Sequence, residues 1–421
     1  MSQTSQAAPP PRDDNAVGAV DPRLIVQQRG LRGYSDTFVQ RVRSGELGSL
    51  PVIVGLIVIW IVFQILNDNF LSPGNLQSLT LQIAGMGTMS VGIVLVLLLG
   101  EIDLSVGSVS GVTSAILAVL NVNLGLDPVL SIIAAVVAGG VIGAIHGFFF
   151  AKVGVPAFVV TLAGLIGWEG MQLRVLGEKG TINFSYDGLI ASLSLKNVPQ
   201  VVAYLLAAVV VVVFLISSLL SYRRRTAASL PARPIAGTIA LTVLLAVGVF
   251  GSVIVLDKAG GVPILPVIFV FFVIVMDLVM RKTPYGRKVF AVGGSVEAAR
   301  RAGINVTAIR ISVFAISSTF AAIGGVLMAS RLLAVNQSTG ASDVLLNVIA
   351  AAVIGGTSLF GGRGSIYSAL LGMLVIGSIT SGMFLLSVGS DVRFMVTAVV
   401  LLASVVIDSL SRRGRRQAGR G

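Results

Sequence analysis

Cysteine is absent and histidine occurs once, as His146, in this chain of 421 residues. Disulfides, iron–sulfur clusters and thiolate zinc sites are excluded together, and one imidazole cannot build a multi-histidine metal or haem centre. Charge is also scarce. Asp, Glu, Lys and Arg make up 11% of the residues, where a soluble domain carries about a quarter. None of the six lysines follows a glycine, so the glycine-rich loop ending in Gly-Lys that cradles ATP phosphates does not occur. One histidine cannot supply a His-Glu-x-x-His zinc motif, and the serine-rich "VGSVSG" (106–111) lacks the G-x-S-x-G spacing of a hydrolase. No catalytic or metal-ligating set remains. The chain is expected not to be an enzyme and to hold no cofactor or metal of its own.

What fills the chain is apolar: 55% of residues are hydrophobic and the mean hydropathy is +0.95. Runs of about 20 apolar residues, the length that crosses ~30 Å of hydrocarbon, recur along most of it. Spans read at 50–70, 77–99, 104–122, 128–151, 156–174, 199–220, 234–256, 261–280, 309–330, 345–360, 365–386 and 391–409. The expected fold is an all-α, polytopic transmembrane helix bundle of about twelve segments, some of them broken or re-entrant. The net charge of +12 sits in blocks, "SYRRRTAASLPARP" (221–234), "RKTPYGRK" (281–288) and "SRRGRRQAGRG" (411–421). All follow even-numbered spans, so they share one side of the bilayer, the cytoplasm, with both termini. The basic excess thus orients a membrane protein and does not imply nucleic acid. Residues 1–49 read as a cytoplasmic polar tail with no secretory signal, 50–410 as the transmembrane domain, and 411–421 as a basic cytoplasmic tail.

Polar residues inside the apolar chain mark candidate sites. "GEIDLSVGS" (100–108) places Glu101 and Asp103 between two spans. Asp103 is expected to cap the following helix and shape a break or gate, with a proton relay as the competing role. "LLNVIAAAVIGGTSLFGGRGS" (345–365) is short and glycine-laden, and Gly355, Gly356, Gly361 and Gly362 are expected to break it. The two regions around 77–122 and 345–386 are alike enough to suggest an internal repeat. Gln82, Thr161, Glu169 and Asn347 are candidates for a substrate pathway. His146 reads as a helix–helix hydrogen-bonding residue, with a substrate contact as the alternative, and Trp168, near the outer end of its span, as an interfacial anchor or a residue facing an extracytoplasmic partner or the path. Gly139, Gly143 and Gly147 form a small-residue stripe, for packing inside the bundle or for a dimer face.

The stretch 281–310, "RKTPYGRKVFAVGGSVEAARRAGINVTAIR", carries seven basic residues. Ser295 is a preferred N-cap for "VEAARRA", Gly303 suits the left-handed residue after it, and Glu297, Arg300 and Arg301 match the helix dipole. A helix this short is marginal alone and needs a surface to rest on. "TPYGRKVFAVGGSVEAARRAGINV" resembles the cytoplasmic loop of ATP-binding-cassette sugar permeases of the ribose/xylose/galactose group. "GEIDLSVGS", "VPAFVVTLAGLIGWEG" (155–170) and "AAVIGGTSLFGGRGS" (351–365) fit the same family in the same order, over about residues 50–410. The additional spans around 199–256 are similar to the xylose and multiple-monosaccharide branch. At position 101 the family often has a small residue.

The resemblance implies an importer subunit for a monosaccharide in a bacterial inner membrane. Its coupling loop, 281–308, would carry Gly286, Arg287, Ser295, Glu297, Ala298, Ala299 and Gly303 into a partner ATPase with two cassettes. That partner would hold the ATP and Mg. An extracytoplasmic sugar-binding protein and a second permease copy are the other implied partners. The competing function is an ion-coupled secondary transporter using Glu101 and Asp103.

Overall fold

In a computed structural model the described residues are 50–417 except 179, 229 and 231–234, so the expected polar tail 1–49 and the last four residues lie outside them. In chain order the helices are α1 (Leu50–Leu66), α2 (Pro73–Leu98), α3 (Val106–Ala118), α4 (Pro128–Phe148) and α5 (Ala157–Leu176). The short α6 (Leu189–Leu195) precedes α7 (Gln200–Ala227), α8 (Ile235–Asp257) and α9 (Ile264–Lys282). Then come α10 (Pro284–Gly294), α11 (Val296–Arg301), α12 (Val306–Leu332), α13 (Ser342–Ile354), α14 (Tyr367–Leu385) and α15 (Ser390–Gln417). Single π turns extend α3 through Val119–Asn123 and α4 through Phe149–Val153. The protein is all-α and polytopic: nine helices among the described residues are long and apolar enough to cross a membrane, beside the shorter apolar α1 and α13.

The helix ends follow local chemistry. Asp127 accepts from the Val129 and Leu130 amides with Pro128 in the first turn, and Ser72 accepts from the Asn75 amide ahead of α2. Two small ribbons tie loops on the face opposite the basic blocks. Thr181–Asn183 (β1) pairs antiparallel with Ala334–Asn336 (β4), and Asn197–Val198 (β2) with Val262–Pro263 (β3).

The centre is α2 and α12, packed on each other and flanked by α3 and α4. Between apolar helices in lipid the attraction is close van der Waals packing, so small residues sit at the contacts. The Gly139–Gly143–Gly147 stripe faces α12. A methyl at Gly139 would come within 2.7 Å of the Ser318 carbonyl, and one at Gly147 within 2.7 Å of the Ile311 Cα. The stripe therefore packs inside the chain. Hydroxyls within the helices return to their own carbonyls, as Thr88 to Ala84 at 2.8 Å and Ser114 to Ser110 at 2.7 Å.

Two expectations change. The expected tenth span, 345–360, is a helix of 13 residues ending at Ile354, followed by an irregular turn through 366. At 1.5 Å per residue it covers only about 20 Å, too short to cross. Second, α15 runs on to Gln417, so the basic residues 412–416 continue a helix and do not begin a separate tail at 411.

Candidate functional site

Two helix breaks and one cytoplasmic loop come together. The first break, 99–105, separates α2 from α3. Gly100 takes φ +81°, a left-handed turn that costs glycine nothing. Glu101 turns to Arg310 at the start of α12, 3.9 Å away. The Arg310 guanidinium also lies over the Phe150 ring, 4.4 Å from its centroid. Burial raises the Glu101 carboxyl above its ordinary range, partly offset by Arg310.

Asp103 is 1% exposed and reaches neither water nor a cation. The expectation that it caps α3 is corrected. Ser105 occupies the cap position, and Asp103 Oδ1 accepts from the Ser105 amide at 2.9 Å and hydroxyl at 2.6 Å. Two intervening residues bend the chain before the helix begins, so the carboxylate satisfies the bend. Ser105 Oγ lies 3.3 Å from His146 Nδ1, and Trp168 Nε1 donates to His146 Nε2 at 2.9 Å. His146 is the expected helix–helix bonding residue. Trp168, twelfth of the 20 residues of α5, sits in mid-helix.

The second break, 333–341, separates α12 from α13 and folds against α3. A methyl at Gly107 would come 2.6 Å from the Gly340 carbonyl. Gln172 of α5, buried and not singled out by sequence, donates to the Asn336 and Thr339 carbonyls at 2.9 Å each. It satisfies acceptors that the broken helix leaves open. A long helix, a break and a further helix thus follow one another twice, as α2–α3 and α12–α13, with α3 running on through its π turn to 18 residues and α13 stopping at 13. The repeat falls at 73–118 and 306–354, in a different register from the 77–122 and 345–386 suggested by sequence.

The turn after α13 returns to the first break. Gly356, Gly361 and Gly362 have φ of +104°, +81° and +70°, and the Gly362 amide donates to the Leu98 carbonyl at 2.9 Å. Gly293, the penultimate residue of α10, is pressed on that same carbonyl with no room for a Cβ. Gly355 is likewise packed on the Ser368 backbone.

The loop between α9 and α12 is built by its caps. Thr283 accepts from the Gly286 amide at 3.3 Å, Ser295 from the Ala298 amide at 3.3 Å, and Asn305 from the Ala308 amide at 3.0 Å. Gly303 takes φ +77° just after α11. Gly286 is buried against the Met280 backbone, and Tyr285 is held to Ser312 by a 3.0 Å hydrogen bond. Ala299 is buried, whereas Arg287, Glu297, Ala298, Arg300 and Arg301 are exposed. The result is a six-residue helix standing outward on one buried alanine.

Of the four pathway candidates, Thr161 is buried, with its hydroxyl 3.4 Å from the Ile102 carbonyl in the first break. Gln82 in α2 and Asn347 in α13 are half-buried, and Glu169 is exposed on α5. Thr161 and Glu169 share α5 and the other two lie on α2 and α13, and no hydrogen bond or ion pair joins the four among the described residues. No group of three acidic or histidine side chains suited to a metal occurs among the described residues either.

Broken helices inside a bundle of apolar, span-length helices are a feature of multi-pass transport permeases. The family model described as branched-chain amino acid transport system / permease component matches residues 75–405, and the chain belongs to that family. It is 33% identical over 374 residues to the xylose transport system permease protein of Escherichia coli K12, covering 88% of this chain and 94% of that one. It is 30% identical to the Haemophilus influenzae xylose transport system permease protein, over 89% of this chain and 99% of that one. The ribose import permease protein of Bacillus subtilis is 30% identical, over 87% of this chain and 94% of its own. No solved structure matches the chain. As a permease of this family it is a multi-pass protein of the bacterial inner membrane.

Proposed function

We propose that this chain is the membrane subunit of an importer that moves a monosaccharide, xylose or a related sugar, into the cell. A separate cytoplasmic ATPase with two cassettes powers it, an extracytoplasmic binding protein delivers the sugar, and a second copy of the chain completes the path. The carrying observation is α11. An exposed helix capped at both ends rests on the chain through little more than Ala299 and Val296, and it is joined through Gly293 and Leu98 to the helix breaks. Motion imposed on α11 by a partner therefore reaches backbone at both 99–105 and 355–366. The relatives named for xylose and ribose transport supply the substrate class.

The ion-coupled alternative fares worse on geometry. Glu101 already has Arg310 as counter-charge, and Asp103 is buried with its Oδ1 taken by the Ser105 amide and hydroxyl. Glu297→Lys, or Gly303 replaced by Trp, is expected to abolish sugar uptake by whole cells while membrane insertion stays intact. Normal uptake by both variants would refute the coupling role. Titration of the cognate binding protein with pentoses and hexoses names the sugar.

A further inference from the structure

Asp103, Ser105, His146 and Trp168 form a chain of hydrogen bonds with one possible direction. An indole N–H only donates, so the 2.9 Å contact from Trp168 requires a lone pair on His146 Nε2. A neutral imidazole then carries its proton on Nδ1 and gives it to Ser105 Oγ, 3.3 Å away. The Ser105 hydroxyl, its acceptor side occupied, donates to Asp103 Oδ1 at 2.6 Å. Each proton is used once, and the line fastens α5 to α4 and α4 to the first break. Asp103 Oδ2, fully buried, has no hydrogen-bond partner among the described residues. The helices meet closely here, since a methyl at Gly164 would come 2.6 Å from His146 Nε2 and 3.3 Å from the Ser105 Cβ.

We propose that these four residues are a latch that holds α5 against the 99–105 break, that requires neutral His146, and that protonation of His146 opens. A proton added at Nε2 sets two N–H donors against each other, so the Trp168 bond breaks. The new cation faces Asp103, whose free oxygen lies in the same buried cluster. Other charges near the latch are directed elsewhere. Glu101 of the same break is turned to Arg310 of α12, Lys152 lies in the turn beyond α4, and Glu169 is on the exposed side of α5. Release of Trp168 leaves the 3.4 Å Thr161–Ile102 contact as the only hydrogen bond from α5 to the break among the described residues. The latch is argued from its own geometry and holds for any cargo.

Only Trp60 and Trp168 occur in the chain, so Trp60→Phe makes Trp168 the sole emitter in the full-length protein in lipid nanodiscs. Between pH 8 and 5 its emission is expected to lose intensity in a single one-proton step. His146→Gln, added to the same background, keeps an acceptor and a donor but cannot titrate, and should flatten the curve. Because the chain has no cysteine, a Thr161→Cys probe reports opening through its maleimide labelling rate. Trp168→Phe should raise that rate about five- to tenfold, the effect of one lost buried hydrogen bond on an opening equilibrium. His146→Gln should leave it unchanged at pH 8. Emission independent of pH, a step that persists in His146→Gln, or labelling unaltered by Trp168→Phe would each overturn the latch.

Discussion

At Glu101, burial and a single arginine act in opposite directions, and burial is the larger. A carboxyl whose pKa is raised on folding stabilises the fold fully below its unfolded value and loses that contribution as pH rises through the raised folded value. The melting temperature of the wild type relative to Glu101→Gln should therefore fall from pH 4 to pH 7, measured in detergent micelles. A rising or flat difference would mean that the Arg310 attraction outweighs burial. Asp103 makes a different prediction. Asp103→Asn keeps an oxygen for the Ser105 amide and hydroxyl, whereas Asp103→Leu leaves both donors buried and unpaired, at about 1–3 kcal/mol each. Uptake and thermal stability should suffer mildly in the first and severely in the second. Equal loss in both would make charge, not hydrogen bonding, the requirement. The caps at Ser295 and Gly303 were legible because each lies within a few residues of what it satisfies. The His146 partners were not, since Ser105 is 41 residues away and Trp168 is 22. Only tertiary packing sets those pairs.

Among the elements, the helices stood out in the sequence wherever an apolar run exceeded the membrane thickness. The expected boundaries at 128–151 and 261–280 lie within three residues of the helices or their π extension. The half-helices were harder to read. A helix of 13 residues has the composition of a span, and its end at Ile354 is decided by glycines packed on the Ser368 and Leu98 backbones. The α10–α11 joint supplies a direct test with an internal control. Gly293 has no space for a side chain beside the Leu98 carbonyl, while a methyl added at Gly294, the next residue, would meet nothing within 4 Å. Gly293→Ala should push α10 off the break and reduce uptake at least tenfold, and Gly294→Ala should leave it near wild type. Equal uptake in the two would remove Gly293 from the path between α11 and the breaks.

For the whole molecule, the recurrence of long helix, break and further helix places the second break against α3 through Gly340 and Gly107. The internal similarity was visible in the sequence as two polar, glycine-rich interruptions. Its register was not, because the interruption in "GEIDLSVGS" precedes a half-helix and the one in "GGTSLFGGRGS" follows one. Under the proposed function, work arriving at the α11 surface comes from another polypeptide. The most direct measurement is sugar uptake by proteoliposomes containing this chain, with the ATPase and the binding protein added or withheld and a protonophore present or absent. Uptake that needs both partners and ATP, and that survives the protonophore, is the expected result. Uptake by the chain alone, driven by a proton gradient and abolished by the protonophore, would contradict it.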